Sequence, residues 1–400
     1  MADLGVVATR LRSLPWWVYV SLVFLGSRVI STALLLFFAS IQQQNAWTGP
    51  QPDYFQYAKI WDGNWYWIVA ASGYPTELPM TADGHIAENA WAFLPAYPTL
   101  IRLLMAFSGA SFEVVAVFVS IAFAWGAALL FYKLMKTALP AGSALFAVVL
   151  FCVAPLSPIL QVAYAESMFA FFLTLCLYLL VTRRYVLLIP TVLVLSLTRP
   201  GALAFALALG LHVVHRIVTH DPFPVREKVA AIGATIFSVF AGFLWVLVVG
   251  LETGSMSTYT EIELAWRMPY IGYVDLVPFA PWIQGANWWA ATWHWLPGAG
   301  IAMLIVLIAL FAAFMFSPWV RKLGVDIRLW VASFALYILA VFFPQSSVFR
   351  ILLPTFPILG ALAVPTSKWF RVALVAVFIA LQAAWLSVGW WVNGYDWTPP

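Results

Sequence analysis

Long apolar segments separated by short polar or basic steps recur along the chain from residue 16 to residue 391. Their length decides their structure, because one helical crossing of a bilayer needs about 20 mostly apolar residues. The run Trp16 to Ser40 is long enough, and further windows predict helices at about 111–136, 141–160, 165–182, 185–198, 201–218, 229–250, 298–317, 329–343, 349–364 and 369–391. Together they give about eleven crossings, with the short windows 185–198 and 329–343 open to merging or tilting. The first run follows Arg10 and Arg12 as a signal sequence would, but it is too long and lacks an Ala-x-Ala exit, so it is expected to be a retained first helix. Two polar and aromatic stretches, about 41–91 and 252–297, interrupt the series as long loops. They hold Trp47, Trp61, Trp65, Trp67, Trp91, Trp266, Trp282, Trp288, Trp289, Trp293 and Trp295, half of the 22 tryptophans, and are expected to fold into interfacial helices. With no internal repeat and no low-complexity linker, residues 1–400 are expected to form one domain.

Composition excludes a water-soluble fold, since 64% of the 400 residues are hydrophobic and only 9% are charged. The expected class is an all-α polytopic membrane protein. Charge sets its expected orientation. With a cytoplasmic N-terminus, Arg10, Arg12, Lys133, Lys136, Arg183, Arg184, Arg216, Arg226, Lys228, Arg321, Lys322, Arg328, Lys368 and Arg371 fall inside, most of the 20 Lys and Arg. Of the 16 acidic residues only Asp3, Asp221, Glu227 and Asp326 fall inside, so the two long loops are extracytoplasmic. The net charge of +4 is scattered rather than striped, which argues against nucleic acid as a partner. Cys152 and Cys176 lie in apolar runs and suggest neither a disulfide nor a thiolate metal site.

The outer face carries the candidate chemistry. Asp62, within an aromatic stretch of the first loop, has the makings of a general base or of a helix N-cap. Tyr164 and Glu166 open the helix at 165–182, Arg199 closes the one at 185–198, and Arg350 heads the one at 349–364. Outer arginines run against the charge bias of the chain. Either a lipid-linked phosphate or an outer carboxylate such as Glu166 would account for them. Arg28, near the centre of the first helix, needs a partner in the bundle interior. His85 and His294, near Asp83 and Glu88, lack ligand spacing and read as ordinary loop histidines rather than a metal site. His212, His215 and His220 are expected to contact headgroups or carbonyls at the cytoplasmic surface.

Four segments in order resemble one family. WDGNWYWIVAASGYP (61–75) followed by AFLPAYPTLIRLL (92–104) resembles the signature of the PIG-V family, the second mannosyltransferase of GPI-anchor assembly, and its bacterial relatives. AYAESMFAFF (163–172), LTRPGAL (197–203) and FRILLPTFPIL (349–359) resemble three further segments of that family. The resemblance implies a GT-C type bundle that uses a polyprenyl-phosphate sugar on the extracytoplasmic face. Asp62 would be the base, Arg199 and Arg350 would hold the donor phosphate, and Tyr164 and Glu166 would orient an arginine or the sugar. Glu88, Trp61, Trp65, Tyr66 and His85 would support substrate, and no metal or other cofactor is expected. The chain departs from the family at Trp65-Tyr66, where a histidine is absent, and at Ala165, where the family has serine. These departures fit a bacterial plasma-membrane member better than a eukaryotic one, with a glycolipid or glycan as acceptor. The reaction implied is direct displacement of polyprenyl phosphate from a mannosyl donor, with inversion. Arabinofuranose or glucose as the sugar, or a lipid-linked sugar transporter or flippase, are the alternatives.

Overall fold

A computed structural model describes residues 14–393. Arg10, Arg12 and Asp3, on which part of the orientation argument rests, lie outside the described residues. Fourteen α-helices of eight residues or more make up the described fold: α1 (Trp16–Ser40), α2 (Asp62–Ser72), α3 (Ala96–Ser108), α4 (Phe112–Lys136), α5 (Ala141–Val153), α6 (Glu166–Val181), α7 (Tyr185–Thr198), α8 (Ala202–Val218), α9 (Val225–Thr253), α10 (Thr258–Ala265), α11 (Ala280–Thr292), α12 (Ala299–Met315), α13 (Val325–Val341) and α14 (Lys368–Trp385).

Four of these helical segments are long and apolar enough to cross a membrane: α1, α4, α9, and α14 with the turn that continues it to Trp390. The 29 residues of α9 reach about 44 Å at 1.5 Å per residue, and Gly254 closes the helix in the left-handed conformation with φ +79°. In α4, Glu113 lies in the first turn and Lys133 and Lys136 in the last, each complementing the helix dipole. Five further apolar helices, α5, α6, α7, α8 and α12, are 13 to 17 residues long and fall short of that length. The sequence therefore marks most of the apolar segments, with crossings fewer by length alone than the eleven expected.

Two expected helices end early or break. The window 141–160 stops at Val153, because Pro155 cannot continue the ladder, and a 3-10 turn, Ser157–Gln161, follows. The window 349–364 is three short pieces around Pro354 and Pro357 rather than one helix. Arg28 explains how the first break is tolerated. Its guanidinium donates to the carbonyls of Cys152 (2.8 Å) and Ser157 (2.8 Å) and to Gln161 Oε1 (3.1 Å). Gln382 of α14 donates to the carbonyl of Val153 at 2.8 Å. Carbonyls freed by the proline thus find partners from α1 and α14, as buried backbone must.

The core runs between α4, α6, α7 and α8, with α6 packed on α4 and α7 and with α8 packed on α9 and α13. On α9 the residues Val229, Ile232, Ile236, Val239, Phe240, Phe243, Leu247 and Leu251 form an exposed apolar stripe at helical spacing. So large an uncovered apolar face is stable when its surroundings are hydrocarbon. The chain is an integral membrane protein. The long loops carry α2, α10 and α11, so they are helical as expected.

Because α6 begins at Glu166 and the antiparallel α7 ends at Thr198, Glu166 and Arg199 fall at the same end of the bundle. The opposite end holds a second network. There His212 Nδ1 meets Asp326 Oδ1 at 2.6 Å, and Arg216 pairs with Asp221 (3.0 Å) and Glu227 (2.8 Å). His212 is 4% exposed and bonded on both ring nitrogens, to Asp326 and to Tyr185 Oη at 2.9 Å. The expectation of a headgroup contact is therefore corrected for His212. Carboxylate and phenol enclose it.

Candidate active site at one end of the bundle

Asp62 is the first residue of α2, one position inside the cap, and its carboxylate bonds Arg350 rather than the helix it opens. Trp61 occupies the cap position with φ +60°, a backbone conformation that costs a bulky residue on the order of 1–3 kcal/mol. Packing holds it there. Trp61 is 5% exposed, its ring lies 4.3 Å from that of Trp47, and its indole N–H donates to the carbonyl of Trp390 at 3.4 Å. The Asp62 backbone N–H, an orphan of the first turn, donates to Tyr164 Oη at 3.0 Å. The carboxylate is thereby left for another role than capping.

That role is electrostatic. Arg350 Nη1 donates to Asp62 Oδ2 at 2.5 Å and to Glu166 Oε1 at 3.1 Å, and Arg199 Nη1 donates to the same Glu166 oxygen at 2.7 Å. Asp62, Arg350, Glu166 and Arg199 therefore form a chain of alternating charge. Glu166 and Arg350 side chains are 2% and 9% exposed, while Asp62 and Arg199 are each 16% exposed. The ends of the chain face outward and the middle is buried. Among the described residues Glu166 Oε2 and Arg350 Nε are buried without a hydrogen-bond partner, so the middle of the chain has spare bonding capacity. Arg350 also sits 5.5 Å from the Tyr164 ring centroid, a cation–π contact. Burial pushes the Asp62 carboxyl above its ordinary range, against the pull of the Arg350 guanidinium.

Of the residues singled out in the sequence, Asp62, Tyr164, Glu166, Arg199 and Arg350 come together, and the Tyr66 ring, 2% exposed, is close enough to feel all four charges. Trp65 stacks on Phe93 at 5.6 Å and meets Trp266 edge-on, forming a wall. Glu88 and His85 are apart from the cluster. Glu88 edges a cavity of about 330 Å³ lined also by Thr81, Ala87, Ala265, Met268 and Pro269, whose walls push its carboxyl up to about 6. His85 lies flat on Tyr273, with ring centroids 3.7 Å apart. Among the described residues no three His, Cys, Asp or Glu side chains converge as a metal would require.

Sequence reasoning missed Glu263. It lies on α10, four residues after Tyr259 and within the field of Arg199 and Asp62. Although the residue is exposed, the surrounding protein pushes its carboxyl up to about 7, against the pull of Tyr259 and Arg199. A tyrosine four residues before a glutamate on one helix was the available signal.

No family model and no curated protein sequence matches the chain. Solved structures do. ArnT from Cupriavidus metallidurans, bound to undecaprenyl phosphate, aligns with a TM-score of 0.50 over 90% of this chain and 63% of its own, at 12% identity. The chain shares the fold of that structure. An oligosaccharyltransferase from Archaeoglobus fulgidus, in complex with zinc and sulfate, aligns with a TM-score of 0.48 over 91% of this chain and 53% of its own, at 14% identity. The chain thus spans less than two thirds of the length of either structure.

Proposed function

We propose that the protein is an inverting membrane glycosyltransferase that moves a mannosyl residue from a polyprenyl-phosphate donor to a lipid-linked or glycan acceptor on the extracytoplasmic face. The observation that carries this reading is the buried chain Asp62–Arg350–Glu166–Arg199, which joins a carboxylate open to an incoming hydroxyl with two guanidinia suited to a phosphate. The likeness of fold to ArnT, which is bound to undecaprenyl phosphate, supports a GT-C reading. Mannose as the sugar rests on the resemblance of the four segments to the PIG-V family.

In this mechanism Asp62 accepts the proton of the acceptor hydroxyl. The hydroxyl oxygen forms a bond to the anomeric carbon as the bond from that carbon to the phosphate oxygen breaks, and the electron pair leaves with polyprenyl phosphate. Arg199 and Arg350 stabilise the charge that builds on the departing phosphate. The ion pairs give the order of events. While Arg350 grips Asp62 at 2.5 Å, the carboxylate is a poor base. A donor phosphate competes for the same guanidinium and releases Asp62, so the base is freed when donor is present. Glu166 keeps both arginines oriented throughout.

The test is transfer by purified protein in lipid nanodiscs from synthetic polyprenyl-phosphate mannose to membrane lipid extract. Mannose in the lipid or glycan product and released polyprenyl phosphate are the expected result. Transfer from a polyprenyl-phosphate pentose or glucose alone would replace the sugar, and lipid-linked sugar carried across the bilayer without transfer would replace the enzyme with a transporter.

A further inference from the structure

The mechanism leaves the cavity at Glu88 unused, and both outer loops build it. In the first loop Met80 pairs with Ile86, Thr81 N–H donates to the carbonyl of His85 at 2.8 Å, and Ala87 N–H donates to that of Pro79 at 2.8 Å, which makes residues 79–87 a hairpin. Asn89 fixes the backbone on either side of Glu88: its side-chain amide donates to the carbonyl of Ala87 at 2.9 Å, and its side-chain oxygen accepts from Trp91 N–H at 3.0 Å. In the second loop Ala265 ends α10, and Met268 and Pro269 open the short helix Met268–Ile271. Packing joins the two loops, since the buried Ile86 and Ile262 share one apolar cluster and the His85 and Tyr273 rings stack. The lining residues Thr81, Ala87, Glu88, Ala265, Met268 and Pro269 therefore sit on backbone held in place around about 330 Å³, within the size range of small-molecule sites.

The chemistry of this cavity differs from that of the ion cluster. Glu88 is the one charged residue of the lining, and among the described residues it forms no salt bridge. Arg267, between Ala265 and Met268 in the chain, is 4% exposed, donates to the carbonyl of Val274 and does not line the cavity. A carboxylate with no cation in the lining repels an anionic ligand but accepts hydrogen bonds from hydroxyls. Thr81 Oγ1 accepts from His85 N–H at 3.1 Å, which leaves its O–H to donate. Ala87, Ala265, Met268 and Pro269 supply apolar surface. Hydroxyls on an otherwise apolar ring are the pattern of a neutral sugar. Through Trp266, which meets Trp65 at 5.8 Å and Phe93 at 6.0 Å, the cavity adjoins the aromatic wall, and Trp65 shares α2 with Asp62.

We propose that this cavity binds a sugar ring of the acceptor glycan, other than the ring that receives the transferred sugar, with Glu88 and Thr81 bonding its hydroxyls. This inference rests on the glycosyltransferase reading. It makes the acceptor a glycan of more than one ring rather than a bare lipid headgroup.

Two measurements on the purified full chain in nanodiscs test it. In transfer from polyprenyl-phosphate mannose to membrane lipid extract, Glu88→Ala and the cavity-filling Met268→Trp are each expected to raise the KM for extract by about tenfold, equivalent to ~1.4 kcal/mol, and to change the KM for donor by less than about twofold. In saturation-transfer NMR, neutral oligosaccharides released from the same extract by mild acid are expected to bind the wild-type protein and to lose most of their signal with either variant. Glu88 is exposed, so its truncation leaves the core untouched. An unchanged KM for extract in both variants, an equal rise for extract and donor, or oligosaccharides that do not bind the wild-type protein overturns the subsite, while transfer itself leaves the glycosyltransferase reading standing. Oligosaccharides that bind the wild-type protein and not the variants, without transfer of any sugar, overturn the glycosyltransferase reading and leave a glycan-binding site.

Discussion

Replacing Glu166 by glutamine removes one negative charge from a group of two carboxylates and two guanidinia while keeping the shape of the side chain. Glu166 is 2% exposed and bonds Arg199 at 2.7 Å and Arg350 at 3.1 Å. At an effective dielectric of about 20, unit charges at those distances attract by roughly 6 and 5 kcal/mol respectively. Most of that attraction offsets the cost of taking the ions out of water, so the net loss on breaking the buried pairs is about 3–5 kcal/mol. Glu166→Gln is therefore expected to destabilise the protein by that amount in detergent-induced or thermal unfolding. A second substitution, Arg199→Gln, makes the cluster neutral again. The double variant is expected to recover stability relative to Glu166→Gln, with an interaction energy of about 1–3 kcal/mol in the double-mutant cycle. A loss below about 0.5 kcal/mol for Glu166→Gln, or strict additivity in the double variant, would refute the reasoning.

Further predictions concern the helix break and the acids. Arg28→Met leaves the carbonyls of Cys152 and Ser157 without their donor and is expected to lower stability by about 2–5 kcal/mol, measured by the same unfolding assay; wild-type stability would show that other donors serve them. The Glu263 carboxyl is pushed up to about 7 in the folded protein, above its ordinary 4.5, so the folded state holds the proton more tightly. Its contribution to stability is present below about pH 4.5 and lost as pH rises through about 7. Glu263→Gln should accordingly gain melting temperature relative to wild type between pH 5 and pH 8, and a constant difference across that range would contradict the assignment. Transfer activity is expected to fall on acidification as Asp62 takes up a proton, at a pH above that of an ordinary aspartate because burial raises its carboxyl. Arg350→Gln removes the cation that pulls Asp62 down, so the acid limb of kcat/KM in that variant should move to higher pH; an unmoved limb would separate Arg350 from the base.

Much of this molecule was legible because apolar length and charge are local properties. The helices α1, α4, α6, α7 and α8 fall within one or two residues of the windows read from the chain, and Glu166 and Arg199 fall at one end because two antiparallel helices of known length must put them there. Asp62 and Arg350 are 288 positions apart, and only the expectation that both serve one phosphate-handling site brought them together on paper. What local reading could not supply was long-range satisfaction of polar groups. The break after Val153 and the pieces around Pro354 depend on donors and packing from distant helices, as Arg28 and Gln382 show. His212 lies 114 positions from Asp326, so a side chain that reads as a surface histidine is enclosed. Glu263 carries no motif, and only the fold brings it within the field of Arg199 and Asp62.

The central claim is that Asp62 acts as the base in transfer from a polyprenyl-phosphate sugar. A single-turnover experiment tests it most directly, comparing wild type with Asp62→Asn, each preloaded with polyprenyl-phosphate mannose and then given acceptor lipid. The account predicts a glycosylated product of inverted anomeric configuration from wild type. For Asp62→Asn it predicts retained donor binding with transfer slowed by about 10²–10⁴-fold, the range expected for loss of a general base. Equal rates in the two proteins, or a product that retains the anomeric configuration, would contradict it.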